Sequence, residues 1–490
     1  MEIGSVKQFF KGKTILVTGA TGILGKIFVE KILRVQPEVK KIYLLLRASN
    51  HYSAEERMYD EIIGKELFKV LKANLGGNFG SFISEKITAI SGDVSEENLG
   101  IKEENLRKEM MEEIDIILNS AATTKFDERF DVAMRTNTMG AFHVLNFAKN
   151  CSNLKILVHV STAYVCGESE GLILEEPLRM GQTLKEFSEL DIEYEKKLIK
   201  EKLNELKAEY ANEGIITSKM RSFGIERANE HGWPNTYVFT KAMGEMLVGH
   251  MKENLPVVIL RPTIITSTYK EPFPGWVEGA RIIESLTVAF GKGKLKCFLG
   301  DIEAVVDVIP ADMVINAIMV AMVANSNKPC DMIYHVGSSV RNPLRYIKFT
   351  EYGRRYFTEK PWIDKNGNPI KIGTFKVLDS VDSFQRYIFI YYLLPLKVLK
   401  LVNAICCQRF QKLYLELNRK IQRGLGLVGL YKPYLFFKGV FDDINTEKLR
   451  MAAMQGEVEM DLFYFDPKMI DWDDYAMTIN IPSTVKYIFK

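Results

Sequence analysis

A glycine-rich turn near the start of the chain constrains the fold more than any other feature of the sequence. The apolar run Thr14–Thr18 predicts a strand, three glycines spaced Gly-x-x-Gly-x-x-Gly follow it, and Ile27–Arg34 has helical spacing. Glycine permits a tight turn whose backbone N–H groups approach a pyrophosphate at a helix N-terminus. The turn therefore predicts a dinucleotide-binding site. The predicted contacts are Thr18, Gly19, Thr21, Gly22, Ile23 and Gly25.

Apolar runs at regular intervals extend this unit into a sheet. Lys41–Leu46 predicts a second buried strand, which completes a strand–helix–strand unit. Further runs of the same kind are Lys86–Ile90, Ile114–Leu118, Ile156–Val160 and Val257–Leu260. Helical stretches separate most of these runs, and strands that alternate with helices form a parallel sheet covered on both faces. The sequence thus predicts an α/β fold with a Rossmann-type doubly wound parallel sheet.

The chain length predicts two domains. A chain of 490 residues exceeds one typical core. We expect a nucleotide-binding domain over residues 1–360 and a mostly helical C-terminal domain over residues 361–490, where the sequence becomes aromatic-rich. The boundary is expected between roughly 340 and 375, near the turn signal Asn366–Pro369.

An insertion at about residues 167–233 interrupts the alternation of strands and helices. Its apolar residues at helical spacing are Ile192, Ile199, Leu203, Leu206 and Tyr210. A charged helix with one apolar face is typical of a surface helix packed on the core. A lid over the substrate is the alternative.

Arg47 indicates which dinucleotide binds. An acidic residue at the end of the second strand would hold the ribose hydroxyls of NAD, whereas an arginine accommodates the additional phosphate of NADP. This chain has Leu46, Arg47 and Ala48 there and no acid. We therefore predict NADPH as the cofactor, with a solvated surface arginine as the alternative.

Small and polar residues at the ends of the next strands extend the predicted site. Asp93 and Val94 follow the third run, and Asp93 is placed to accept from the adenine amino group. Asn119, Ala121 and Ala122 end the fourth run with small residues, as close passage of a cofactor requires. Ser161 and Thr162 bring two hydroxyls to the end of the fifth, at the edge where such sheets bind ligands.

Tyr237 and Lys241 supply the predicted acid–base chemistry. Residues four apart share one face of a helix, so the ammonium of Lys241 is expected near the phenol of Tyr237. A positive charge favours phenolate and lowers a tyrosine pKa from its usual value of about 10. The tyrosine becomes a usable proton donor near neutral pH, which together with the glycine turn indicates hydride chemistry.

Composition argues against several classes of function. The formal net charge is +3 and no basic run stands out, so we expect no nucleic-acid partner. The six cysteines show no metal-ligand spacing with the six histidines, so we expect no metal site and a reducing compartment. The N-terminus has no long apolar core, and we expect no signal or transit peptide.

One apolar segment bears on membrane attachment. Tyr387–Leu396 contains Pro395 and is too short to span a bilayer, but it is suited to lie on one. A buried core helix over Tyr387–Ile405 is the alternative. Oligomeric state has no signature in the sequence.

The motifs together resemble the extended short-chain dehydrogenase/reductases and, more narrowly, the plant alcohol-forming fatty acyl-CoA reductases. The segments that carry this resemblance are Gly232–Glu245, Leu260–Thr266, Glu271–Trp276 and Phe441–Leu449. It covers nearly the whole chain, and the C-terminal region resembles the family's own C-terminal domain.

The resemblance implies a reaction and roles for individual residues. It implies reduction of a long-chain or very-long-chain acyl-CoA to a primary alcohol with two NADPH, as in the synthesis of wax or lipid polymers. Tyr237 would be the proton donor, and Lys241 would adjust its pKa and bind ribose. Asn137 would support a proton relay, and Thr162, with Ser161 as the alternative, would be the catalytic hydroxyl. Pro262 and Thr263, after Arg261, would pass the nicotinamide. The expected location is the cytosolic face of the endoplasmic reticulum, with peripheral attachment, or else the cytoplasm.

Several alternatives remain open at this point. A nucleotide-sugar epimerase or dehydratase shares the glycines, the tyrosine and the lysine. An aldehyde-releasing reductase would use the same first hydride, and a noncatalytic NADPH-binding protein would keep the fold. A covalent thioester on Cys166 or Cys297 is disfavoured, because neither has an activating base nearby in sequence.

Overall fold

A seven-stranded parallel sheet forms the centre of the protein. The computed structural model describes residues 3–186, 189–279, 282–294, 297–364, 366–373 and 376–489. Its strands are β1 Thr14–Thr18, β2 Lys41–Leu46, β3 Ile87–Ser91, β4 Ile116–Asn119, β5 Ile156–Val160, β6 Gly171–Ile173, β7 Val257–Pro262, β8 Ile264–Thr266, β9 Cys297–Leu299, β10 Val308–Pro310, β11 Ile333–Val336, β12 Lys376–Leu378 and β13 Gly439–Phe441. The order across the central sheet is β11-β7-β5-β4-β1-β2-β3.

Helices cover the sheet and form most of the C-terminal region. They are α1 Val6–Phe10, α2 Ile23–Val35, α3 His51–Met58, α4 Lys69–Leu75, α5 Phe79–Lys86, α6 Glu104–Glu113, α7 Phe130–Ala133, α8 Gly140–Lys149, α9 Ile192–Glu209, α10 Glu213–Glu230, α11 Thr236–Met251, α12 Ile282–Gly291, α13 Ala311–Asn325, α14 Tyr346–Glu359, α15 Val381–Ile388, α16 Leu394–Ile405, α17 Gln411–Leu435, α18 Ile444–Gln455, α19 Met460–Phe463, α20 Trp472–Asp474 and α21 Ile481–Ile488. Segments of π-helix lie at Tyr59–Ile63, Met134–Met139, Phe389–Leu393 and Tyr475–Asn480.

The strand order confirms the predicted doubly wound Rossmann-type fold. From β1 the chain builds β2 and β3 on one side, and it then crosses to β4 and builds outward on the other side. The order therefore reverses between β1 and β4, and this switch point leaves a crevice at the carboxyl ends of the two strands. The glycine turn follows β1 at this crevice, as the sequence predicts.

The sequence predicted six of the seven strands of the central sheet and missed β11, and it predicted none of the short strands of the three two-stranded sheets. Predicted and observed bounds agree for β1, β2 and β5, whereas β3, β4 and β7 differ by one or two residues at one or both ends. Helix α2 begins at Ile23, earlier than predicted, because Gly22 already serves as its N-cap. The four residues of β11 were not predicted, since so short a run shows no alternation of its own; the neighbouring strand β7 pairs with it.

The insertion packs on the protein as a surface helix pair. In α9, Ile192, Ile199 and Leu206 are buried, and they belong to an apolar cluster with Trp233 and Phe239. Tyr210 lies just beyond the helix, where the backbone becomes extended. The described part of the insertion contributes no residue to the cavities described below, so the packing favours the surface helix over the lid.

The C-terminal region is interleaved with the nucleotide-binding part. Strand β12 pairs with β9, and β13 pairs with β6. Phe463 and Phe489 belong to the same apolar core as the strands of the central sheet. The division into 1–360 and 361–490 stays a prediction, and in this fold both parts share one core.

Helix α11 lies unusually close to the segment Met134–Met139. A Cβ added at Gly244 would lie 2.4 Å from the carbonyl oxygen of Asn137. No real Cβ tolerates that distance, so Gly244 permits the close packing of α11 on this segment. Gly249, in the same helix, has nothing within 4 Å of an added Cβ.

We expect Gly244→Ala to lower the free energy of unfolding by about 1–3 kcal/mol, because overpacking forces the backbone apart. Gly249→Ala is the matched control, and its better helix propensity should leave stability unchanged or raise it by up to about 1 kcal/mol. The measurement is the urea midpoint of helical circular dichroism. Equal midpoints for the two variants would show that the close packing is not required.

Candidate active site

Two adjoining cavities occupy the crevice at the switch point. The smaller has a volume of about 190 Å³ and the larger about 570 Å³. They share walls formed by Gly19, Gly22, Ser120 and Ala122, so the glycine turn and the end of β4 lie between them. A ligand with two linked parts can therefore extend across the turn from one cavity to the other.

The first and third glycines of the turn leave no space for a side chain. Gly19 has a φ of +71°, and a Cβ added there would lie 2.6 Å from the backbone N of Ala121. A Cβ on Gly25 would lie 2.6 Å from the carbonyl oxygen of Gly19. Helix α2 begins directly after Gly22, and Ile23, Leu24 and Gly25 line the larger cavity. Its first turn, with unpaired N–H groups, is a place for an anion.

The smaller cavity gathers the residues predicted for the adenosine end. Its walls include Thr21, Arg47, Asp93, Val94, Ala121 and Ala122. The structure adds Arg57, which the sequence reasoning missed, as a second guanidinium at this cavity. Glu61 holds Arg57 through two hydrogen bonds of 2.6 and 2.9 Å, and Arg57 also donates to the carbonyl of Arg47. The sequence could have indicated Arg57, because it lies on α3, the helix that directly follows β2.

The larger cavity gathers the hydroxyl groups. Ser161, Thr162 and Tyr237 line it, together with Lys241, Pro262 and Thr263. The Oγ1 of Thr162 accepts a hydrogen bond of 3.3 Å from the backbone N–H of Tyr164, which leaves its own hydrogen to donate. The Oγ of Ser161 is buried and has no hydrogen-bond partner among the described residues.

Lys241 is a fully buried cation at this cavity. Its side chain reaches the end of β5, where Nζ donates a hydrogen bond of 2.7 Å to the carbonyl of Val160. Burial lowers the pKa of Lys241 to about 8, and Glu245 opposes the shift. The ammonium therefore stays mostly protonated at neutral pH. Tyr237 precedes it by one helical turn and lines the same cavity, while the effect of Lys241 on the tyrosine pKa stays a prediction.

Three predicted site residues lie behind the cavity walls. Thr18 donates to the side chain of Asn119 at 2.7 Å, and the amide nitrogen of Asn119 contacts Nδ1 of His159 at 3.0 Å. The amide of Asn137 bonds the backbone of Thr123 in both directions and donates to the Thr240 hydroxyl at 3.0 Å. Among the described residues that line the two cavities, Thr18, Asn119 and Asn137 do not appear. They support the β1–β4 edge and the start of α11.

An aromatic wall that the sequence did not reveal closes the larger cavity. Phe126 stacks on Tyr237 with 5.9 Å between ring centroids, and it contacts Tyr431 and Tyr434 of α17 at 5.7 and 5.1 Å. Leu427 and Leu430 of the same helix also line the cavity. No local pattern predicts these contacts, because α17 lies about two hundred residues downstream of Tyr237.

No cysteine lines either of the two cavities. Burial raises the pKa of Cys166 to about 12 and also raises the pKa of Cys297, so both thiols stay protonated at neutral pH. Neither residue lines the two cavities. In the part of the chain that the structure describes, no group of three or more His, Cys, Asp or Glu residues is arranged to hold a metal ion.

Two protein-family models match this chain, one in the nucleotide-binding part and one in the C-terminal region. Residues 17–318 match a family model for NAD binding described as "Male sterility protein", and residues 391–490 match a second model with the same description. The chain is 54% identical over 491 residues to the alcohol-forming fatty acyl-CoA reductase of Simmondsia chinensis, covering all of both chains. It is 51% identical over 486 residues to fatty acyl-CoA reductase 1 of Arabidopsis thaliana, covering 99% of each.

A solved structure shares the fold at low identity. The terminal R domain from the myxalamid PKS-NRPS biosynthetic pathway superposes with a TM-score of 0.58 at 18% identity, covering 98% of this chain and 92% of that one. This likeness supports the arrangement of strands and helices.

Proposed function

The chain belongs to the family of alcohol-forming fatty acyl-CoA reductases, and we propose that it reduces a long-chain fatty acyl-CoA to the primary alcohol with two molecules of NADPH. The observation that carries the proposal is the meeting of a dinucleotide crevice with an apolar cavity at Tyr237, Thr162 and Lys241. The epimerase or dehydratase alternative does not hold, because the relatives that match along the full length are reductases.

The residues of the crevice fit a nicotinamide cofactor. A Cβ at Gly19 or Gly25 would clash with neighbouring backbone, so these glycines permit the tight turn that brings the start of α2 to a pyrophosphate. The first turn of α2 lines the larger cavity. Ser161, at the end of β5, lines the same cavity, and its buried hydroxyl has no partner among the described residues. A bound nicotinamide supplies the hydride for each reduction.

Arg47 and Arg57 support NADPH over NADH. Both line the smaller cavity at the end of β2, where a carboxylate would be expected for NADH. Guanidinium groups bind phosphate through several directed N–H donors. Because Glu61 and the Arg47 carbonyl already fix Arg57, little side-chain entropy is lost when a phosphate binds.

Thr162 and Tyr237 are assigned to the substrate carbonyl. The backbone N–H of Tyr164 fixes the Thr162 oxygen, so its hydroxyl is a donor already in place for the negative charge that develops on the carbonyl oxygen. Tyr237 donates the proton, and the buried charge of Lys241 stabilises the phenolate that results. Tyr237 lies in the first turn of α11, whose dipole acts in the same direction.

Each of the two reductions adds one hydride and one proton to the substrate. Hydride adds to the thioester carbon and a proton to its oxygen, which gives a hemithioacetal. Its C–S bond breaks, the CoA thiolate takes up the hydroxyl proton, and an aldehyde remains. Hydride then adds to the aldehyde carbon, and Tyr237 again donates a proton to the oxygen. The apolar wall of Leu427, Leu430 and Tyr431 suits the acyl chain throughout.

Purified protein with a long-chain acyl-CoA and NADPH is expected to form one alcohol and one free CoA for every two NADPH oxidised. Tyr237→Phe should lower kcat by about 10²–10⁴-fold, because the proton donor is lost, while NADPH binding measured by fluorescence is retained. Gas chromatography identifies the product across acyl-CoAs of graded length. One NADPH per CoA with free aldehyde would favour the aldehyde-releasing alternative, and binding without turnover would favour a noncatalytic protein.

Arg47→Ala and Arg57→Ala are each expected to raise the KM for NADPH by about 10–100-fold, because each removes a charged hydrogen bond to phosphate. The KM for NADH should change by less than about twofold, since NADH lacks that phosphate. Arg354→Ala removes an exposed arginine that lines neither of the two cavities and serves as the control. Equal effects on the two cofactors would refute the NADPH assignment.

We also infer peripheral attachment to a membrane, expected at the cytosolic face of the endoplasmic reticulum. By length and composition alone, the described residues include one helical segment long and apolar enough to cross a membrane, Val381–Ile405. The segment is thus longer than the sequence predicted. Its most apolar window is only 11% buried, so the alternative of a buried core helix is wrong. All six cysteines are free thiols, which suits a reducing compartment.

The packing at both ends of this segment favours lying on the membrane over crossing it. Leu378, just before the segment, and Leu425 and Val428, after it, pack in one apolar cluster. A single crossing would place these residues on opposite sides of the bilayer. The return helix α17 carries Arg419, Lys420 and Arg423, and so many charges oppose a second crossing.

Leu401→Glu with Ile405→Glu is expected to abolish flotation of the purified protein with phosphatidylcholine vesicles, because two charges replace side chains that are 67% and 81% exposed. Turnover of acyl-CoA presented in detergent should be retained. Tyr52→Glu with Met454→Glu, at positions 81% and 62% exposed on other surfaces, is the matched control. Undiminished flotation of the first variant would argue against attachment through this segment.

A further inference from the structure

Tyr434 brings a second phenol into the active site from the C-terminal region. It stands at the end of α17, is only 7% exposed, and lines the larger cavity with Tyr237 and Thr162. Its ring packs 5.1 Å from Phe126 and 5.2 Å from Tyr164. The ring is therefore fixed on two sides, and the hydroxyl has one defined position.

A single amide ties this hydroxyl to the helix of Tyr237. The side-chain nitrogen of Asn235 donates to the Tyr434 oxygen at 2.8 Å. The side-chain oxygen of Asn235 accepts from the backbone N–H of Val238 at 3.1 Å and so caps α11. Tyr434 and Tyr237 thus keep a constant spatial relation, although their positions in the chain are far apart.

Tyr434 is suited to donate a hydrogen bond without losing its proton. Burial, and to a smaller extent the neighbouring Tyr237, raises the pKa of Tyr434 far above that of a free phenol. Its oxygen already accepts from Asn235, and no described residue accepts its hydrogen. A buried donor left unpaired costs free energy, which a carbonyl oxygen in the cavity would recover.

The proposed reaction has a step that needs such a group. After the C–S bond breaks, the aldehyde has lost its CoA and is held only by its acyl chain and its carbonyl oxygen. During the exchange of the cofactor, Tyr237 must also recover its proton. A donor that is not consumed in either reduction can hold the carbonyl through this interval.

We propose that Tyr434 donates a hydrogen bond to the aldehyde oxygen between the two reductions and retains the aldehyde until it becomes alcohol. This inference rests on the proposed function and extends it to the C-terminal region. No bond is made or broken by Tyr434, so the proton and hydride balance of the reaction is unchanged. Loss of the hydroxyl would let the aldehyde dissociate before the second hydride transfer.

The test is Tyr434→Phe, which removes the hydroxyl and keeps the ring. With acyl-CoA, NADPH and an aldehyde-trapping hydrazine, the ratio of trapped aldehyde to alcohol is expected to rise about tenfold, the effect of one neutral hydrogen bond. The initial rate of CoA release should change by less than about threefold. With the fatty aldehyde supplied directly, the KM is expected to rise about tenfold at a similar kcat.

Tyr414→Phe is the matched control. Tyr414 lies on the same helix, α17, and lines neither of the two cavities. It should leave the product ratio unchanged. An unchanged ratio in Tyr434→Phe, or an equal rise in both variants, would overturn the inference while wild-type alcohol formation still supports the proposed function. Failure of the wild type to form alcohol would instead overturn the proposed function.

Discussion

The contact between the buried ammonium of Lys241 and the carbonyl of Val160 holds the reactive part of the protein together. A buried cation must be hydrogen-bonded, and this one finds its acceptor at the last residue of β5. Ser161 and Thr162 follow Val160 directly, and Tyr237 lies one turn before Lys241 on α11. One interaction therefore fixes the helix that carries Tyr237, the proposed proton donor, against the strand that ends at the two hydroxyls. The close approach at Gly244 allows α11 to reach this position.

The C-terminal region completes the cavity that the nucleotide-binding part leaves open. Helix α17 extends from an exposed, apolar surface to the wall of the active site, where Tyr431 and Tyr434 meet Phe126. Asn235 joins the end of this helix to the start of α11, so the two parts share one hydrogen-bonded corner. An exposed apolar segment and the active-site cavity are thus connected through a single helix. Such an arrangement suits a substrate with a long apolar chain whose thioester must reach the phenol of Tyr237 inside the cavity.

The sequence predicted the site best where function depends on neighbours in the chain. The glycine turn, Arg47, Asp93 and the hydroxyls at the end of β5 all lie at the cavities. Thr18 and Asn119 were predicted as cofactor contacts but lie behind the cavity walls, because a strand-end position does not reveal which way a side chain points. Asn137, predicted to support the site, also lies behind the walls, and its role in a proton relay stays a prediction. Arg57 was missed although its position after β2 carried a signal. The sequence contains no signal for Tyr434, because its hydrogen-bond partner Asn235 lies about two hundred residues away in the chain.

The sequence by itself determined the strand–glycine–helix unit, the doubly wound sheet and the placement of Tyr237 and Lys241 on successive turns of one helix, because each follows from the periodicity or spacing of adjacent residues. Only the tertiary structure decided that the C-terminal helix closes the active site and that the long apolar segment is exposed. The tertiary structure also decided that Lys241 is buried, which lowers its pKa to about 8. Burial, electrostatics and cavity walls depend on segments brought together across the whole chain, and no local pattern records those distances.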